Sequence, residues 1–167
     1  AKEEQDRLWK ALRRGEIQTI STDHCSFTLA QKDAGREDFT KIPGGLPGVE
    51  TRGELIYSYG VAAKKLSLAQ MCRVLSENPA KLYGLYPRKG VLAPGSDADI
   101  VIYDPGDSHV IRAEDCVANV DYNPYEGFVT AGGIREVWLR GRRTVESGKV
   151  LDTVPAGIYL ARGKCDL

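Results

Sequence analysis

Apolar and polar positions recur with different periods along this chain, and the changes of period divide it. Residues 2–14, KEEQDRLWKALRR, put Leu8 and Leu12 four apart on one face. Glu3 and Glu4 stand at one end of that stretch, Arg13 and Arg14 at the other, and Gly15 follows. Acidic residues suit the positive N-terminal end of a helix and basic residues its C-terminal end, and glycine is a natural stop, so a helix is predicted over 2–14. The run from Ile17 to Thr22, rich in Ile and Thr, predicts a short strand directly after it. Helix, tight turn and strand form the αβ half of a βα repeat. A parallel strand needs neighbours on both edges, and no second convincing βα unit follows. The start of the chain is therefore expected to be the last slice of a larger α/β body.

Between residues 27 and 53 the periodicity lapses into FTKIPGGLPGVETRG, where glycine and proline favour tight turns. Interspersed Phe39, Ile42, Leu46 and Val49 predict an ordered loop rather than a disordered one. GELIYSYGVAAKKL then predicts a helix with Leu55, Ile56 and Tyr59 inward. Ser67 and Gln70 form a capping box ahead of Leu68, Met71, Cys72 and Leu75 at helical spacing. That helix is expected to end before Pro79, and PAKLYGL to make a short one stopped near Gly84. From Lys89 the pattern becomes β. Pro94-Gly95 suits the centre of a type II turn, and Ile100–Tyr103 reads as a buried strand. REVWLRGRRTVESGKVL alternates Val137 and Leu139 against Trp138 and Arg140, with turns at Gly141 and at Ser147-Gly148. An antiparallel meander with one apolar face is predicted. The change of character places a boundary near residues 86–90, and weak periodicity after Pro155 reads as a terminal extension.

Charge narrows the function classes. The 167 residues carry 23 basic and 23 acidic side chains with no block of like charge, which argues against nucleic acid or an anionic membrane as the main partner. No run of about 18 apolar residues exists to span a bilayer. The N-terminal segment lacks the apolar core of a signal peptide. Four cysteines, Cys25, Cys72, Cys116 and Cys165, are widely spaced without a CxxC pair, and are expected to be plain thiols of a cytoplasmic protein.

Candidate chemistry is sparse. Asp23 falls just past the predicted strand, at the end where catalytic and ligand-binding residues gather in α/β folds. Its spacing fits two roles: capping the next turn, or ligating a metal and moving protons. His24 is its neighbour on an extended segment, so the two side chains face opposite ways and should not bind one atom. A hydrogen-bonded structural role is expected for His24, and for His109 either a solvated position or at most one supporting other site residues. No HxH, HExxH or Cys/His cluster is present, so the chain cannot assemble a three- or four-ligand zinc site by itself. The glycine pairs 44–45 and 132–133 lack the rest of a phosphate-binding loop, and turn chemistry accounts for them. Taken alone, these residues do not name a reaction.

Read as strings, several segments resemble the cyclic-amide branch of the amidohydrolase superfamily, the hydantoinases and dihydropyrimidinases. STDHC with DFTKIPGGLPGVETR is similar to the segment after the eighth strand of their metal-dependent barrel. SENPAKLYGLYPRKGVLAPGSDADIVIYDP resembles the passage from the barrel into a β-sandwich, and DYNPYEG and VWLRGRRTVESGKV later parts of that sandwich. The resemblance implies an α/β fold: residues 1–87 as the C-terminal part of a (β/α)8 barrel with substrate loop 27–53, residues 88–150 as part of a β-sandwich, and 151–167 as a tail. It implies that Asp23 ligates one of two divalent ions, usually zinc. On the same resemblance, a hydroxide bridging the two ions is expected to attack the ring carbonyl of a small cyclic amide, and Asp23 to pass its proton to the leaving nitrogen. It further implies that the main chain at Gly44 holds the ring, although the family commonly has asparagine there and proline where Ser26 stands. A homo-oligomer is expected, often a tetramer. The family's HxH, carboxylated lysine and two further histidines have no counterpart here, so the chain reads as the C-terminal third of a longer enzyme, inactive alone. The alternatives are a non-catalytic homologue serving in assembly, a free-standing oligomerisation module, and an allantoinase or dihydroorotase.

Overall fold

A computed structural model describes residues 2–151 and 157–167; the beginning of the expected tail, 152–156, lies outside the described residues. Helix α1 covers Lys2–Arg14 as its charge pattern predicts. Gly15 closes it with φ at +76°, a conformation glycine adopts without a Cβ penalty. The expected strand from Ile17 to Thr22 does not form. A strand exists through ladder hydrogen bonds, and no neighbouring strand is available to it among the described residues. Instead Ile17 and Ile20 turn onto a core of Leu12, Leu66 and Val74, joined by Trp9, Ile56 and Leu75.

The helical layer that receives them follows a loop carrying α2, Leu29–Asp33. This short helix departs from the ordered loop of tight turns expected there, which was to hold no regular element. Thr28 and Gln31 form a complete capping box, a signature legible in the sequence as T-x-x-Q. Helix α3, Arg52–Ile56, runs on into a π-type turn over Tyr57–Ala62. Tyr59 is exposed rather than inward; Ser58 and Gly60 are the buried residues there. Gly60 lets the ring of Trp9 come close, since a Cβ at that position would lie 3.0 Å from it.

Helix α4, Leu68–Cys72, begins with the predicted Ser67–Gln70 box. It continues through a π turn, Arg73–Glu77, into α5, Asn78–Leu82, so the chain passes Pro79 instead of stopping before it. The widened turn has a local cause. A proline ring clashes with the carbonyl four residues back in a regular helix, and a wider turn relieves it. Asn78 N–H bonds to Arg73 O, five residues back, and the carbonyl of Val74 would then need a donor from Pro79, which has none. Ile20 N–H supplies it at 3.2 Å, which ties the 17–22 segment to the helix. Val74 is consequently the buried residue of this element, while Leu68 and Cys72 of the predicted face are exposed.

The β layer is one antiparallel sheet, ordered β1 (Ile100–Asp104), β2 (Gly133–Leu139), β3 (Arg142–Glu146), β4 (Lys149–Val150). Both expected tight turns form, with positive φ at Arg140 and Gly141 and again at Ser147 and Gly148, as a primed hairpin turn requires. Pro94-Gly95 sits at the centre of the 93–96 turn, closed by Ser96 N–H to Ala93 O at 3.1 Å. Val101, Val137, Val145 and Val150 align across all four strands, which makes the predicted apolar row. It is not covered: Val101 is 58% exposed, so β1 is not the buried strand expected.

Sheet and helices meet through specific contacts. The rings of Tyr57 and Tyr103 pack with centroids 4.2 Å apart, and Ser58 Oγ accepts from Ala131 N–H at 2.8 Å. Glu54 Oε1 accepts from Ile134 N–H at 3.1 Å while Oε2 lies 3.4 Å from His109 Nε2. His109 is thus half-exposed and stands beside an acid. At the other end of β1, Lys89 bridges Asp97 at 2.9 Å and Asp99, and Arg88 joins Asp97 at 3.1 Å. All four cysteines are free, as expected, and no described helix is long and apolar enough to cross a membrane.

Candidate active site

Asp23, His24 and the glycine loop are brought together by a single parallel bridge, His24 to Leu46. Leu46 N–H donates to Asp23 O and Cys25 N–H donates to Leu46 O, each at 3.3 Å. Asp23 has φ at +48°, in the left-handed region where aspartate is among the few tolerated side chains. Such conformations cost on the order of 1–3 kcal/mol and concentrate at functional sites. The residue is exposed, and among the described residues no hydrogen bond or ion pair engages its carboxylate. It does not cap the turn.

His24 has the structural role expected of it. Gly48 N–H and Val49 N–H donate to its Nδ1, at 3.1 and 3.4 Å, so Nδ1 carries no proton. The proton resides on Nε2, which faces Ser26 Oγ at 3.2 Å. A neutral imidazole therefore pins the end of the loop, and Asp23 and His24 act on different partners.

The adjacent glycines differ. Gly45 has φ at +76°, and a Cβ there would stand 2.5 Å from Asp23 O and 2.6 Å from Cys25 Sγ. Only glycine lets the loop lie against the Asp23 backbone. Gly44 is exposed, with nothing within 4 Å of a Cβ. No described residue bonds its N–H or its C=O. The main chain on either side is held: Lys32 Nζ donates to Pro43 O and, at 2.6 Å, to Gly45 O.

Further supports escape sequence reasoning because they join distant segments. Glu50 accepts from Val117 N–H at 2.9 Å and from Ala118 N–H, and Asp121 Oδ1 accepts from Leu29 N–H at 2.8 Å. These bonds fasten the loop to the 112–126 segment. Asn123 Nδ2 reaches Cys116 Sγ at 3.3 Å, and burial raises the pKa of that thiol above its ordinary value. A cleft of about 520 Å³, lined by residues between Arg112 and Glu126, includes neither Asp23 nor Gly44. The candidate site is an open surface. Among the described residues no three His, Cys, Asp or Glu side chains gather as a metal site; the unengaged Asp23 carboxylate is an oxygen donor of the type divalent cations take.

Against known proteins, the model of the amidohydrolase family matches residues 1–144. The D-phenylhydantoinase of Escherichia coli is 42% identical over 160 residues, covering 95% of this chain and 35% of that relative. The D-hydantoinase of Streptomyces coelicolor is 42% identical over 165 residues, 98% of this chain and 35% of the relative. Among solved structures, the D-hydantoinase of Bacillus sp. AR9 superposes at a TM-score of 0.94 with 42% identity, over 99% of this chain and 37% of that one. The dihydropyrimidinase of Brevibacillus agri gives 0.85 with 45% identity, over 88% and 32%. The chain thus spans about a third of the length of the relatives it matches.

Proposed function

The chain belongs to the amidohydrolase family, and on that footing we propose that it is part of a metal-dependent hydrolase opening a small cyclic amide, a hydantoin or a dihydropyrimidine. One observation carries this reading. The His24–Leu46 bridge holds the backbone of Asp23, a left-handed residue with an unengaged carboxylate, against the loop that carries Gly44, whose N–H and C=O are both free. A free donor and acceptor on one residue match the carbonyl and N–H of a ring amide.

In this reading Asp23 ligates one of two divalent cations, zinc by preference, and Gly44 holds the ring through its main chain. The cations supply water made acidic enough to act as a nucleophile at neutral pH. The Asp23 carboxylate takes the proton as water attacks the ring carbonyl, and returns it to the ring nitrogen as the C–N bond breaks. Residues 1–87 serve as the closing part of a (β/α)8 barrel with loop 27–53 at its mouth, residues 88–150 as part of a β-sandwich, and 151–167 as a tail. The uncovered valine row of the sheet supports the sandwich, whose second sheet would cover it. The working protein is a homo-oligomer.

One carboxylate cannot hold two cations, so the isolated chain should not open hydantoin or dihydrouracil, with or without added zinc. Joined behind the part of the Streptomyces coelicolor relative that precedes the aligned region, it should complete an active enzyme. There Asp23→Asn lowers kcat by about 1,000-fold. In the isolated chain the same change leaves stability within about 0.5 kcal/mol, because the carboxylate has no partner to lose. Ring-opening by the chain alone, or a D23N chimera within about tenfold of its parent, refutes the reading.

A further inference from the structure

We propose that Lys32 is a positioning residue that aims the Gly44 N–H at the substrate ring; this rests on the cyclic-amide reading above. Lys32 lies on α2, whose first turn is fixed by the Thr28–Gln31 capping box. Its half-buried ammonium donates to two main-chain carbonyls, Pro43 O and Gly45 O, and stands 5.5 Å from the centroid of the Phe27 ring. No carboxylate pairs with it among the described residues. A lysine placed for solubility would keep its head in water; this one spends it on the two carbonyls that bracket Gly44.

The consequence follows from peptide geometry. A trans peptide is planar, and its C=O and N–H point in opposite directions. Drawing Pro43 C=O toward Lys32 therefore turns the Gly44 N–H, on the same peptide plane, away from it. Drawing Gly45 C=O toward Lys32 turns the Leu46 N–H the opposite way, and that group is the one bonded to Asp23 O. One ammonium thus orients the ring-binding donor and anchors the loop beside the proton-carrying aspartate. Gly44, with no side-chain constraint of its own, depends on this clamp more than a residue with a Cβ would.

The test has two arms. Amide exchange on the isolated chain reads the clamp: Lys32→Met should lower protection of the Leu46 and Cys25 amides by about 10-fold, the effect of losing bonds to a charged donor, and leave α4 unchanged. Lys32→Arg, which keeps charge and donors, should recover most of it. In the chimera, K32M should raise KM about 10-fold with kcat within about threefold, because ring binding is lost more than chemistry. Unchanged protection at Leu46, an equal loss throughout α4, or a kcat loss at constant KM overturns the proposal. An inactive parent chimera counts against the hydrolase reading instead, and the exchange arm still decides the clamp.

Discussion

Replacing Gly45 by alanine should unfasten the loop from Asp23, while the same change at Gly44 should do almost nothing. At Gly45 two costs combine. Holding a Cβ-bearing residue at φ +76° costs about 1–2 kcal/mol. The new Cβ would also meet Asp23 O at 2.5 Å and Cys25 Sγ at 2.6 Å. The thiol could rotate, but the oxygen is backbone and accepts the Leu46 N–H, so relief means separating the two bridged segments. That forfeits both bonds of the His24–Leu46 bridge, worth about 1 kcal/mol each. The sum is about 3–4 kcal/mol against local closure. Because this ladder is local, native-state amide exchange reads it better than global unfolding. Protection of Leu46 and Cys25 should fall by at least about 100-fold in G45A, at 1.4 kcal/mol per decade. Gly44→Ala meets no atom within 4 Å and should stay within about 0.5 kcal/mol of the parent. Equal protection in G45A and G44A would show that the loop does not rest on the Asp23 backbone, and the reasoning would fail.

Other expectations concern the helix–sheet junction and the charge cluster beside β1. Glu54→Ala strands the Ile134 N–H, whose acceptor is only 13% exposed. At about 1–3 kcal/mol, and about 2–4 °C per kcal/mol for a chain of this size, calorimetry should show a Tm fall of about 2–12 °C. A fall below about 1 °C would contradict it, and Glu54→Gln, which keeps an acceptor, should lose less. The hydrogen bond from Lys89 holds the Asp97 carboxyl below its ordinary pKa against the opposing effect of burial. Burial opposes the charge on Lys89, yet its bonds to Asp97 and Asp99 raise its pKa overall. A lowered carboxyl pKa stabilises above the unfolded value, near 3.9, and that contribution is lost as pH falls through the folded value. A raised lysine pKa stabilises below about 10.4 and is lost as pH rises through the folded value. Melting of Lys89→Met should therefore trail the parent at about pH 7 and converge with it at an acid pH below the folded Asp97 value. A gap of constant size at both pH values would count against the cluster.

The local signals were strong where structure is local. Helix α1 was legible in its charge order and Gly15, the α4 start in its capping box, and the hairpins in Arg140-Gly141 and Ser147-Gly148. Each depends on residues within a turn of one another, so no distant partner was needed. Asp23 and Gly44 were named through resemblance, because spacing left a capping role open for Asp23 and turn chemistry accounted for Gly44. The helix through Pro79 was not legible: the carbonyl that proline orphans is satisfied by Ile20, far back in the chain.

What the sequence alone determined is a set of short elements, a family likeness and one carboxylate worth attention. Only the tertiary structure decided what that carboxylate stands beside. The His24–Leu46 bridge, the Lys32 clamp and the Glu50 bonds join residues from 11 to 68 positions apart. Which donor finds which acceptor at that range depends on how the chain closes, and periodicity carries no record of it. The same limit explains Ile17 to Thr22, whose β-prone residues packed without forming a strand because a strand also needs a neighbour.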